Sequence, residues 1–380
     1  MTDLKRTPLF KRHQAAGAKM APFAGWEMPL HYGSQLKEHE AVRGAVGMFD
    51  VSHMGQFLVE GEQALELLQR WTTNDVARLD DGQSCYSILC NDDGGIIDDV
   101  IVSCKSKASG RYFVVVNAAC IEKDFARLNE LKEREQLTNV ATKDISDTLA
   151  MIALQGPDVE SIIIKLMIPS ALRLSYFGIT ETTWHDKKLI VSRTGYTGED
   201  GFELMLASDG AADLWDALLE AGVQPCGLAA RDTLRLEAGY LLSGQDMDVS
   251  NHPLESGVRW AVKLKKETPF AGSEAVAKIK DEGTHDRFTG FVLTERGIPR
   301  HGLKVVQTEG EPTDTDGSIV VGTVTSGTFS PTLKQGIALA RVSNDALNNG
   351  KPLYIDLRGK LIAAEPAKPP FIKESSIKKN

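Results

Sequence analysis

The chain has 380 residues, 42% of them hydrophobic and 25% charged, which is too long for one core and balanced like a globular protein, so two or three domains are expected. A net charge of −9 excludes a protein whose main partner is a phosphate backbone, but leaves room for an anionic small ligand held by local cations. No run reaches the roughly 20 apolar residues that span a bilayer, and the start, Met1 to Pro8, has neither a signal-peptide core nor a transit pattern.

A cytoplasmic protein is therefore expected, or a mitochondrial matrix protein if the chain is a processed eukaryotic form, with no nucleic acid or membrane as partner. Cys85, Cys90, Cys104, Cys120 and Cys226 are odd in number and scattered, which favours reduced thiols over disulfides or a zinc site. The histidines form no metal-binding pair, so no metal is expected.

In chain order, an aromatic, turn-rich stretch (Gly25 to Gly33) precedes a helix expected over Glu60 to Trp71, with Ala64, Leu67, Leu68 and Trp71 on one stripe. The turn cluster Asn91 to Gly95 leads into Ile96-Ile97-Asp98-Asp99-Val100-Ile101-Val102. A polar loop, Lys105 to Gly110, joins this run to Tyr112–Val116, and two β-branched runs so connected predict a hairpin. Asn117 is placed to cap a following helix on which Ile121, Phe125, Leu128 and Leu131 share a face. Strands are expected at Ala150–Leu154, Lys188–Ser192 and Phe202–Leu206, and helices at Ala211–Ala221 and Leu228–Ala238, stopped by Gly222 and Gly239. From about Phe270, short Thr- and Gly-rich β runs predict a small C-terminal barrel or sandwich. Glu374 to Asn380 reads as a frayed tail.

Three segments could carry chemistry. Asp98 and Asp99 are neighbours in a strand, so they point to opposite faces among Ile and Val, where an ionised carboxylate is costly without a partner. The residues alone admit an edge strand with solvated or turn-bonded acids, or a desolvated carboxylate acting on a cationic or protonated substrate group. The loop Arg193 to Glu203 matches neither a phosphate loop nor a dinucleotide fingerprint. It reads as a hairpin turn with solvated acids, or as the mount for Glu203, which could receive two parallel N–H donors. Arg231 and Arg235 lie one turn apart, as in an ion-paired helix or a ligand clamp. His53, as a lone histidine, is ambiguous.

Taken together and in order, these segments resemble one family. Gly25-Trp26-Glu27-Met28-Pro29, Phe49-Asp50-Val51-Ser52-His53-Met54, Gly94-Gly95-Ile96-Ile97-Asp98-Asp99 and Leu154-Gln155-Gly156-Pro157 resemble signatures of the aminomethyltransferases, the T-proteins of the glycine cleavage system. So do Tyr196-Thr197-Gly198-Glu199-Asp200-Gly201, Ala230 to Gly239 and Thr325 to Pro331. The resemblance runs from about Thr7 to Phe371.

It implies an α+β, three-domain cloverleaf around a central folate cavity. Domain 1 would comprise residues 1–49, 143–221 and 253–269, and domain 2 residues 50–142 and 222–252. Domain 3, residues 270–380, would be the all-β barrel. The implied reaction moves the methylene carbon of an aminomethyl-lipoyl H-protein to tetrahydrofolate, giving 5,10-methylenetetrahydrofolate, ammonia and the reduced lipoyl arm, with the P- and L-proteins in the same system. By position, the family's essential aspartate falls on Asp99, its pterin-holding glutamate on Glu203 and its folate-binding arginine on Arg231. Asn117 is the asparagine of the hairpin. Met54, Tyr86, Tyr196, Trp260 and Arg300 match cavity-lining positions. Some members have a folate-contacting tyrosine near the C-terminus; this tail, Ile372 to Ser376, has none. A folate-dependent demethylase of the same fold is one alternative. A folate-binding iron–sulfur assembly factor is another, although its cysteine motif is missing from Glu237 to Asp246.

Overall fold

A computed structural model describes residues 4–308 and 317–377. Two open sheets and a closed barrel form the architecture. The first sheet has the order Ile179–Trp184, Lys187–Ser192, Gly201–Ala207, Leu149–Gln155, Gly47–Asp50 and Gln224–Pro225. The second has the order Gln83–Cys90, Ile96–Ser106, Arg111–Val116, Gly55–Glu60 and Ala141–Asp144. The chain thus leaves the first sheet after Asp50, completes the second, and re-enters the first at Leu149.

Each sheet buries one face under helices. Phe202, Leu204 and Leu206 alternate with the other face of their strand and meet Leu214, Trp215 and Leu218 of the helix Ala211–Glu220. Val100 and Val102 of the second sheet meet Leu67, Leu68 and Trp71 of Ala64–Trp71, and Leu128 and Leu131 of Ile121–Arg134. Truncating a fully buried aromatic such as Trp215, 0% exposed, costs about 3–5 kcal/mol. The remaining faces turn toward each other. Phe49, Met151, Ala153 and Met205 of the first sheet join Phe113 of the second and Ala230 and Leu234 of the helix Leu228–Glu237 in one cluster, with Met54 at its margin.

The barrel runs Asp286–Leu293, Gln335–Ser343, Ile319–Ser330, Lys304–Gln307, Tyr354–Leu357 and Lys360–Ala367. It docks on the same central helix, where Leu236 packs on Ile337 and Leu339. Polar contacts fix this joint. Arg235 donates to Asp246 and to Ser326, each at 2.8 Å. Glu237 accepts from Ser330, Thr332 and Arg43.

Several sequence expectations change. Gln224–Pro225 pairs with Gly47–Met48, so it sits in the first sheet rather than with the second unit. Lys263 and Lys266 bond to carbonyls at Thr72 and Thr73, tying their segment to the second unit rather than the first. The stripe helix starts at Ala64, after a turn at Gly61. The described part of the C-terminal tail is pinned, with Ser376 donating to Glu199 and accepting from the Asp200 N–H at 2.8 Å. Residues 378–380 of that tail lie outside the described residues. No described helix is long and apolar enough to cross a membrane.

Candidate active site

The strand Ile96–Ser106 places Asp98 and Asp99 on opposite faces, because strand side chains alternate. Asp98 is on the helix-covered side with Val100 and Val102 and is 0% exposed. Asp99 lies on the other side, half-buried, with the Tyr86 phenol close enough to act on its carboxylate. Asn117 follows the partner strand Arg111–Val116 and serves both acids. Its Nδ2 lies 2.9 Å from Asp98 Oδ1 and 2.9 Å from Asp99 Oδ1, and its backbone N–H donates to Asp98 Oδ2 at 3.1 Å. The side chain makes no capping bond to the helix that follows, contrary to expectation; its Nδ2 is directed at the two carboxylates instead.

The strand lies inside its sheet and Asp98 is fully buried, so the reading as an edge strand with solvated acids does not hold, and no Lys or Arg side chain among the described residues forms an ion pair with Asp99. Burial, and then the charge of Asp98, push the Asp99 carboxyl up to about 7, against the opposing bonds from Tyr86 and Asn117. A carboxyl so placed can take or release a proton near neutrality. Tyr86 also stacks on Trp260 with centroids 5.3 Å apart, and Trp260 is 60% exposed. The pair forms an aromatic edge open to solvent.

The second part of the site comes from the first sheet. Glu203 projects from Gly201–Ala207 and accepts from Thr194 Oγ1. Burial raises its carboxyl, and Thr194 and the nearby Arg231 pull it back. Its loop is shaped by Gln155, whose Nε2 donates to the Thr194 carbonyl at 3.1 Å while Thr197 Oγ1 donates to its Oε1 at 2.9 Å. A Cβ on Gly195 or Gly201 would come within 1.9 or 2.2 Å of that amide, so both positions require glycine. The acids of this loop are not solvated, since Glu199 pairs with Arg43 and Asp200 with Arg193.

The third part is the central helix. Arg231 lies with its guanidinium carbon 4.6 Å from the Tyr196 ring centroid, and its Nη1 is buried with no hydrogen-bond partner among the described residues. Tyr196 donates to the Leu241 carbonyl and stacks on Tyr240 at 5.8 Å. Arg235, by contrast, is spent on Asp232, Asp246 and Ser326, so the two arginines do not form a joint clamp. His53 is 2% exposed, with Nδ1 unpartnered among the described residues, and burial followed by the nearby Arg231 pushes it down to about 4. Orphaned buried donors and acceptors of this kind fit a polar ligand that would satisfy them.

Residues 9–266 match the family model described as the GCVT N-terminal domain, and residues 287–373 match the glycine cleavage T-protein C-terminal barrel domain. The chain belongs to the glycine cleavage T-protein family. It is 46% identical to an aminomethyltransferase of Thermotoga petrophila over 98% of this chain and 99% of that protein. One from Halothermothrix orenii is 45% identical over 97% of this chain and all of that one. The crystal structure of glycine cleavage system aminomethyltransferase T from Bartonella henselae superposes with a TM-score of 0.89 at 34% identity, covering 99% of this chain and all of that one. The activity is accordingly that of a tetrahydrofolate-dependent aminomethyltransferase.

Of the residues the T-protein resemblance singled out, Asp99, Asn117, Tyr86 and Trp260 are linked by direct contacts. Glu203, Arg231 and Tyr196 form a second linked set, and Met54 packs at the cluster between the sheets. Arg300 stands apart from both. It is exposed at the barrel rim, and its Nη1 lies 3.5 Å from the Gly327 carbonyl. A surface depression of about 390 Å³, lined by Glu255, Arg259 and Arg287 among others, contains none of these residues.

Sequence reasoning passed over Lys266 and Asp124. Lys266 donates to the Asn74 carbonyl at 3.0 Å, and Asn74 in turn donates to the Tyr86 carbonyl at 2.8 Å. Burial pushes its ammonium down to about 7. Only its place in a loop behind Tyr86 marks it, and nothing in the local sequence does.

Proposed function

We propose that Asp99 is the catalytic carboxylate of this aminomethyltransferase, and that Glu203, Arg231, Asn117, Met54, Tyr86, Tyr196, Trp260 and Arg300 hold the folate. The reaction takes the methylene carbon of an aminomethyl group on the lipoyl arm of H-protein to tetrahydrofolate, releasing ammonia. When bound, tetrahydrofolate supplies the nitrogen nucleophile that accepts the carbon. The chain supplies position and charge. Glu203 would accept two parallel N–H donors from the pterin edge, as a carboxylate does from arginine. Arg231 would satisfy its orphaned Nη1 on the ligand. Tyr86 and Trp260 offer aromatic faces at the solvent edge, and Arg300 on the barrel rim would meet the glutamyl carboxylates.

Asp99 would stabilise positive charge developing at the methylene carbon and handle the proton of the departing amine. Orientation of two bound reactants supplies much of the remaining acceleration. The observation that carries this reading is the carboxyl of Asp99, half-buried without an ion-pair partner among the described residues, with Asn117 donating to it and Tyr86 beside it. The lipoylated H-protein is the expected partner, with the P- and L-proteins in the same system, and the expected compartment is the cytoplasm.

The test adds this chain and tetrahydrofolate to aminomethyl-loaded H-protein. Ammonia and 5,10-methylenetetrahydrofolate are expected. Their absence would overturn the reading. Asp99→Asn should keep folate binding by calorimetry and lose turnover by about 10²-fold or more; a near-normal rate would remove Asp99 from the reaction.

A further inference from the structure

On the covered face of the second sheet, behind the catalytic strand, the ligating atoms of Asp98, Cys120 and Asp124 all lie within 4.8 Å of one another. Asp124 is on the helix Ile121–Arg134, and it and Asp98 are 0% exposed. Neither Asp124 oxygen has a hydrogen-bond partner among donors of the described residues. A fully buried carboxylate with no donor and no paired cation is untenable as an anion.

Two arrangements resolve this: a bound cation, or a proton. The surroundings favour the proton. Both oxygens of Asp98 already accept, from Ser243 Oγ at 2.7 Å and from the Asn117 side chain and backbone. The ammonium of Lys123, which donates to the Ile97 carbonyl at 2.9 Å, is near enough to act on Asp98, Cys120 and Asp124 and would repel a metal ion.

We propose that Asp124 is a positioning residue that carries a proton at neutral pH and donates it in a hydrogen bond to Asp98, and that this bond, passed on through Asn117, sets the proton affinity of Asp99. The proposal rests on the catalytic role of Asp99 given above. The charged and titratable groups involved are few. Asp124 is faced by Asp98, Cys120, Lys123 and, more distantly, Asp99; Asp99 is faced by Asp98, Tyr86 and Tyr196. Burial, followed by the charge of Asp98, pushes the Asp124 carboxyl up to about 10. The acid proton of Asp124 draws charge from Asp98, which otherwise acts on Asp99 at full strength.

The test has a readout independent of turnover. Infrared spectra of the full chain at pH 8 should show the C=O stretch of a buried neutral carboxylic acid, shifted in D2O and missing in Asp124→Asn. In the H-protein assay, Asp124→Ala should move the rise of kcat with pH upward by roughly one unit. Asp124→Asn, whose amide still donates to Asp98, should restore its position. Absence of the band, stoichiometric zinc in the purified chain, or an unmoved or lowered limb in Asp124→Ala would each overturn the proposal. Failure of the proposed reaction itself would show as absent ammonia, with the infrared band intact.

Discussion

Asp99 sits where its own charge is disfavoured, and that has a consequence for stability as well as for rate. Its carboxyl titrates at about 7 in the folded chain against an ordinary 3.8. The folded state then binds the proton more tightly than the unfolded one, so the site costs stability as pH rises from about 4 through 7. Asp99→Asn should therefore raise stability at pH 8 by on the order of 2 kcal/mol, and the melting temperature with it, the gain fading below pH 7. Thermal unfolding at pH 8 and at pH 5 checks the sign. The rate should behave oppositely, rising through about pH 7 as the carboxylate ionises. Glu203→Ala should weaken folate binding by about 2–3 kcal/mol in calorimetry, as loss of a two-donor carboxylate contact does. Unchanged affinity would remove Glu203 from the pterin. At this scale the sequence was legible where a strand alternates: the separation of Asp98 from Asp99 follows from period-two geometry. It was illegible at Asp124, which reads as a polar residue on an amphipathic helix. It misled at Asn117, whose side chain makes no cap and donates instead to two carboxylates lying far away in sequence.

The helix Leu228–Glu237 shows how one element serves three partners. Ala230 and Leu234 pack between the sheets, Arg231 turns to the site, and Arg235, Leu236 and Glu237 hold the barrel. Its existence and its glycine stop were readable from composition. Which arginine is structural was not, because Asp246 and Ser326 reach Arg235 only in the fold. The Tyr196–Gly201 loop is similar. Gly195 and Gly201 were visible, but the Gln155 amide that demands them was not, nor was the tail that grips the loop. Ser375 and Ser376 bond to Gly198, Glu199 and Asp200, so truncation after Ile372 should loosen the loop carrying Tyr196. The expected result is a loss of about 1–3 kcal/mol for the few hydrogen bonds removed, with a raised KM for folate and little change in kcat. An unaltered KM would confine the tail to a role in stability.

For the whole molecule, the joint between sheets and barrel is electrostatic at its centre. Glu237 is buried, with His39, Ser330 and Arg43 holding its carboxyl down at about 2 despite burial. Its ordinary value is 4.5, so this contribution is complete above that pH and is lost as pH falls from about 4.5 toward 2. Acid unfolding should thus begin at the barrel, and Glu237→Gln should flatten the stability profile in that window, as denaturant titrations at pH 3 and pH 6 would read. The barrel was legible as a run of short Thr- and Gly-rich strands. The exact partition of the two sheets was not, because pairing partners lie far apart in the chain.

That separation bears on how the molecule is made. The strand Gly47–Asp50 waits for Leu149–Gln155 on one side and Gln224–Pro225 on the other, so its sheet cannot close until more than half the chain has been synthesised. Pairings this distant fold slowly and leave strand edges bare meanwhile. The second sheet, drawn from Gly55 to Asp144, is contiguous and can form first. A nascent chain would therefore hold Asp99 in place long before Glu203 and Arg231 arrive, and the binding site would be the last thing to assemble.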